Sequence, residues 1–112
     1  MIIEQTIIEY LSKALTAPVY AEVPASAPAS YVLVEKTSSS RQNHINTATL
    51  AVQSYADTLF NAASLSKSVC DALYKAVELN NISHVDISDY NYTDTQSRKY
   101  RYQAVLDCVY FD

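Results

Sequence analysis

Glycine is absent from all 112 residues, and that absence excludes whole classes of site. P-loops, dinucleotide fingerprints and nucleophile elbows each need a residue without Cβ where backbone meets ligand or turns at positive φ. The same lack throws tight turns onto Asn, Asp and Ser, or demands loops long enough to avoid them. Basic runs are missing too: eight Lys and Arg stand against twelve Asp and Glu, for a net charge of −4. With no Lys or Arg cluster beside the aromatics, direct nucleic-acid recognition is not expected. The opening MIIEQTIIEY is apolar, but Glu4 and Glu9 interrupt it and no basic n-region or long apolar run accompanies it. Neither a signal peptide nor a membrane span is expected.

Metal and nucleophile chemistry are thin as well. His44 and His84 have no second His, Cys or carboxylate at a ligand spacing on a shared face. Asp86, Asp89, Asn91 and Asp94 form an oxygen-rich string without the glycine turn and terminal Glu of a calcium loop. Cys70 and Cys108 are far apart, and each falls on the apolar face of its element. They read as reduced, buried thiols packed as small hydrophobes, without the basic or helix-N-terminal setting that activates a nucleophile. No enzyme, cofactor or metal centre is expected.

What is present is one core's worth of patterned chain. Residues 57–79 (DTLFNAASLSKSVCDALYKAVEL) carry the strongest helical period, with Leu59, Ala62, Ala63, Ser66, Val69, Cys70, Leu73, Ala76 and Val77 on one face. Asp57 can cap its first turn and Asn80-Asn81 can end it. Its small residues Ala62, Ala63 and Ser66 suit close packing on a sheet. A first helix is expected from Ile3 to the break at Thr16-Ala17-Pro18.

Strands are expected at 19–23 (VYAEV), 31–36 (YVLVEK), 47–55 (TATLAVQSY), 82–92 (ISHVDISDYNY) and 99–111 (KYRYQAVLDCVYF), the last two as an antiparallel hairpin. A bulge near Ser88-Asp89 would explain why Tyr90 and Tyr92 break the alternation. Residues 24–30 and 93–98 read as connections. Residues 37–46 (TSSSRQNHIN) read as a long polar loop, either mobile until ordered by a partner or simply a solvated hairpin connection. The order α-β-β-β-α-β-β makes an α+β domain: a mainly antiparallel sheet of about five strands with both helices on one face. Ten tyrosines exceed what one thin core needs. They serve either a protein interface or cross-strand packing, since both reward a ring with few soft torsions.

Residues 31–63 (YVLVEKTSSSRQNHINTATLAVQSYADTLFNAA) and 89–110 (DYNYTDTQSRKYRYQAVLDCVY) give this order a more specific look. A short strand with an EK end, a polar SRQNHI loop, a strand running into QSYA, a long helix and a hairpin into RYQAVLD together resemble the tail terminator, or tail-completion, family of long-tailed phages and prophages of Gram-positive bacteria. The resemblance implies a structural subunit that caps the head-proximal end of the tail tube, working in the virion tail after assembly in the host cytoplasm. It implies three partners: further copies in a ring of six, the major tail tube protein, and a head-completion protein of the neck. A neck adaptor, or a small ligand-binding or antitoxin-like domain, is the alternative. The candidate interface residues are Arg41, Gln42, Asn43 and His44 in the polar loop. Tyr92, Arg98, Arg101 and Tyr102 on the last hairpin are matched to Glu22 and Glu35 of a neighbour, because a closed ring needs two different patches on each subunit.

Overall fold

Isoleucine and leucine at four-residue spacing make the first helix, α1 (Ile3–Ala14), one-sided: Ile3, Ile7 and Leu11 are buried. Glu4 in its first turn and Lys13 in its last complement the helix dipole. The computed structural model describes residues 2–79, 81–94, 96 and 99–111. After α1 come β1 (Val19–Tyr20), β2 (Tyr31–Gln42), β3 (Ile45–Ala56), α2 (Leu59–Tyr74), β4 (Ile82–Asn91) and β5 (Tyr100–Tyr110). They form one five-stranded sheet in the order β1-β2-β3-β5-β4. The expected α+β order is observed, and the molecule's 44 Å long axis matches ~40 Å for a twelve-residue strand.

Both helices lie on one face, as the patterns require. Ile3, Ile7 and Leu11 of α1 and Val69 and Leu73 of α2 share a core with Val32, Val34, Leu50, Val52, Ala104 and Leu106 of the sheet. Ala62 and Ser66 are buried and let α2 approach the strands closely. Tyr10 on α1 donates its hydroxyl to Ala72 O on α2 at 2.7 Å, tying the two helices together. Cys108 is buried in this core, Cys70 lies at its margin, and both thiols are free. Among the described residues no helix is long and apolar enough to cross a membrane.

The structure departs from expectation in four places. Only Val19 and Tyr20 of the 19–23 stretch form a strand, and they pair parallel with Val32 and Leu33, so the sheet is mixed. Parallel pairing follows because the chain after Tyr20 loops back to begin β2 in the same direction. Second, residues 37–42 are not loop: β2 continues to Gln42 and β3 begins at Ile45, with Ser38↔Thr49, Ser39↔Ala48 and Ser40↔Thr47 in register after a shift at Lys36/Ser38. Asn43 (φ 52°) and His44 (φ 67°) make the tight turn, the positive-φ pair that matches strand twist and that a glycine-free chain assigns to Asn and His. No apolar alternation marks residues 37–42, where the ladder is flanked by hydroxyls. Thr37 donates to Thr49 O, and Ser40 pairs with Thr47.

Third, the register of β4 runs unbroken from His84 to Asn91, and the shift lies between Ile82 and His84 instead of at Ser88-Asp89. Val85, Ile87 and Asp89 face the helices; Tyr90 sits with His84, Asp86 and Ser88 on the opposite, uncovered face, so the alternation is unbroken from His84 to Asn91. Fourth, α2 is capped by Thr58, whose hydroxyl accepts from Asn61 N at 3.1 Å, while Asp57 accepts from the Asn61 side chain. It tightens into a 3-10 turn at Lys75–Glu78, leaving Leu59 and Val77 exposed at its ends. Asn80, expected in the stop signal, lies outside the described residues.

Candidate functional site

The face of the sheet turned away from the helices carries the chemistry. Period-2 alternation sends Tyr31, Leu33 and Glu35 of β2, Gln53 and Tyr55 of β3, Arg101 and Gln103 of β5, and Tyr90 of β4 to this side. Tyr20 begins a row that crosses the sheet at one end. It meets Tyr31 edge-on at 6.1 Å, and Tyr31 stacks on Tyr55 at 4.6 Å. The Arg101 guanidinium lies 5.8 Å from the Tyr55 ring centre and 4.4 Å from that of Tyr92, which in turn stacks with Tyr90 at 5.8 Å.

Hydrogen bonds lock the row. Arg101 Nε donates to Tyr92 O at 2.7 Å and its Nη1 to the Tyr55 hydroxyl at 3.2 Å. The Tyr55 hydroxyl donates to Gln53, Gln53 to Gln103, both at 2.8 Å, and Gln103 to the Tyr90 hydroxyl at 2.5 Å. Tyr31 and Tyr55 are thereby buried although no helix covers them. Burial and the neighbouring Tyr55 raise the Tyr31 hydroxyl above its usual pKa against the lowering pull of Arg101. A hollow of about 180 Å³ beside the row is bounded by Ala29, Tyr31, Tyr55 and Lys99.

At the other end of the same face, an open groove of about 450 Å³ runs between the polar half of the β2–β3 hairpin and β4. Hydroxyls and carboxylates line it in satisfied pairs: Ser40 with Thr47, Thr49 donating to Asp107 at 2.5 Å, and His84 with Asp86 at 3.0 Å. Contrary to expectation, His84 does share its strand face with a carboxylate, that of Asp86, while Ser40 and Thr47 hold each other and Thr49 is held by Asp107. Among the described residues, no group of three or more His, Cys, Asp or Glu could hold a metal ion. Both thiols are shifted away from reactivity. Burial pushes Cys108 up to about 11, and burial, then Asp89, raises Cys70.

The expected interface residues divide among several places. Arg41 and Gln42 end β2, and Asn43 and His44 form its turn, all four exposed at one tip. Tyr92 and Arg101 meet on the open face, whereas Tyr102, paired with Ser54, points to the helix side. Glu35 is exposed on β2, Glu22 is exposed in the connection after β1, and Arg98 lies outside the described residues. Arg101 is engaged within its own subunit by two rings and two acceptors. Tyr20, Tyr31, Tyr55, Gln53 and Gln103 were not singled out in the sequence. The signal that held them was the polar face of the alternating strands, but which strands are neighbours had to be known before Tyr31, Tyr55 and Arg101 could be seen as a row. No protein-family model matches the chain, and no curated protein matches it.

Proposed function

We propose that the chain is a structural subunit of a long phage tail, one that caps the head-proximal end of the tail tube, stops its polymerisation and contributes to the joint with the head. The observation that carries this reading is that the two stretches bearing the family resemblance, residues 31–63 and 89–110, are contiguous in the fold. They make up β2, β3, the first turns of α2, the end of β4 and all of β5. The polar SRQNHI segment, one part of the order that carries the resemblance, is a hairpin tip with exposed side chains, which supports a contact there. The partners in this reading are further copies in a ring, the tube protein and a neck protein, each meeting a different patch.

Tube protein polymerised in vitro with increasing amounts of this subunit tests the proposal, with tube lengths read by electron microscopy. Shortened tubes with the subunit at one end are expected. Lengths unchanged at every ratio, together with normal tails in phage lacking the subunit, overturn it. Normal tails that fail to join heads point instead to a neck adaptor.

A further inference from the structure

The sheet ends in two open edges. Beyond the short β1, which pairs only with Val32 and Leu33, the described outer side of β2 from Val34 to Gln42 has no strand beside it, and neither does that of β4. An exposed edge is a template for another strand, and proteins usually blunt it with charge or a bulge. Here each edge carries a different charge. Residues 34–42 hold Lys36 and Arg41 against Glu35, a balance of +1, whereas β4 holds Asp86 and Asp89, a balance of −2 with His84 neutral. Pairing either edge with its own kind would set like charges together, which disfavours it. Pairing β2 with β4 brings opposite charges together.

Direction allows it. β3 runs antiparallel to β2, β5 to β3 and β4 to β5, so β2 and β4 of one molecule point in opposite senses. A neighbour placed alongside in the same orientation therefore offers its β2 antiparallel to β4. The hydrogen-bond phase also fits. Tyr92 N bonds inward to Arg101 O, and alternation along the ladder then turns the peptide groups of Asn91, Asp89, Ile87 and Val85 outward. On β2, Val32 N bonds outward to Pro18 O, and the two-residue turn makes Gln42 and Ile45 an inward pair. Val34 and Lys36, then Ser39 and Arg41 after the bulge, are thus outward.

We propose that β2 of one copy of this chain adds antiparallel to β4 of the next, continuing the sheet from subunit to subunit in a head-to-tail contact; this specifies, and rests on, the reading of the chain as a self-assembling subunit. With Val34 set against Asn91 and Arg41 against Val85, the bulge on β2 absorbs the odd residue and Lys36 falls opposite Asp89. Ser39 falls opposite Ile87, whose carbonyl already accepts from the Tyr74 hydroxyl at 3.3 Å and keeps a second lone pair for the neighbour. Helices stay on one side of the joined sheet and the open face on the other.

In this register Ser40 and Asp86 form a non-hydrogen-bonded cross-strand pair, with Cα atoms ~4.5 Å apart, within reach of a disulfide. Ser40→Cys and Asp86→Cys proteins, each also tested alone, are mixed under mild oxidation at millimolar concentration beside the unsubstituted chain. A cross-link in the mixture, several-fold above either protein alone, is expected. Lys36→Glu in the Ser40→Cys chain should reduce its yield several-fold, and Asp89→Lys in the Asp86→Cys chain should restore it. Cross-linking of Ser40→Cys mainly to itself, or none in the mixture while the protein sediments as a monomer or as larger species, overturns the contact. The two readings fail separately: a protein that cross-links as expected but leaves tube length unchanged keeps this interface and loses the terminator assignment, and one that shortens tubes without the cross-link does the reverse.

Discussion

Replacing Arg101 by Met keeps most of the side-chain stem and removes the guanidinium, so the change isolates what that group does within the free subunit. Its two ring contacts, 4.4 Å to Tyr92 and 5.8 Å to Tyr55, contribute about 0.5–1 kcal/mol each for a half-exposed cation. Its bonds to Tyr92 O and the Tyr55 hydroxyl add about 1 kcal/mol together, charge-assisted bonds being discounted here for the water that still reaches the group. The expected loss is roughly 2 kcal/mol, which lowers a urea midpoint by about 1 M for a domain of this size. Arg101→Lys keeps the charge without the planar fork and should lose about half as much. Urea unfolding followed by far-UV circular dichroism reads the stability, and the near-UV tyrosine signal reads the row itself. A double-mutant cycle with Tyr92→Leu should give a coupling of about 0.5–1 kcal/mol. A midpoint within about 0.2 M of the parent, with an unchanged tyrosine signal, would refute the reasoning. It would mean that Arg101 contributes nothing to the stability of the free subunit.

Leu106, fully buried at the centre of the helix-side core, should cost about 2–5 kcal/mol on truncation to Ala, measured by the same unfolding assay. His44→Gly should stabilise the hairpin by about 0.5 kcal/mol, because relief of a left-handed penalty of about 1–2 kcal/mol exceeds a glycine entropy cost of about 0.5–1 kcal/mol; a lower midpoint counts against the turn. Cys108 should resist alkylation at pH 8 in the native protein and react promptly in urea, since burial pushes its thiol up to about 11. The linkage has a definite sign: between pH 9 and about 11 the folded thiol holds a proton that the unfolded one has released, so stability falls as pH rises through that window, and Cys108→Ala should flatten the decline.

Along α1, the middle of α2 and β5, where one side of the element meets the core, the pattern was legible in the chain, whereas β4 and the ends of α2 were read only in part. The four-residue spacing of Ile3, Ile7 and Leu11 and the alternation of Ala104, Leu106 and Cys108 each state a period and a buried face, because burial selects side chains at that period. The order α-β-β-β-α-β-β and the placing of both helices on one side follow from those faces. Where no core presses on a strand, the chain says little: residues 37–42 are strand by backbone pairing and hydroxyl contacts, and serine carries no apolar signature of either. Asn43 and His44 suit a turn in a glycine-free chain, but the two-residue turn depends on β2 running on to Gln42, an extension that was not visible. The Tyr20, Tyr31, Tyr55, Arg101, Tyr92 row needed more again. Its members come from stretches distant in sequence, and only the strand order β1-β2-β3-β5-β4 brings them to one line. The same order left β2 and β4 open, opposed in direction and unlike in charge. That is a property of the assembled sheet, since an edge exists only once every other strand has found its neighbour.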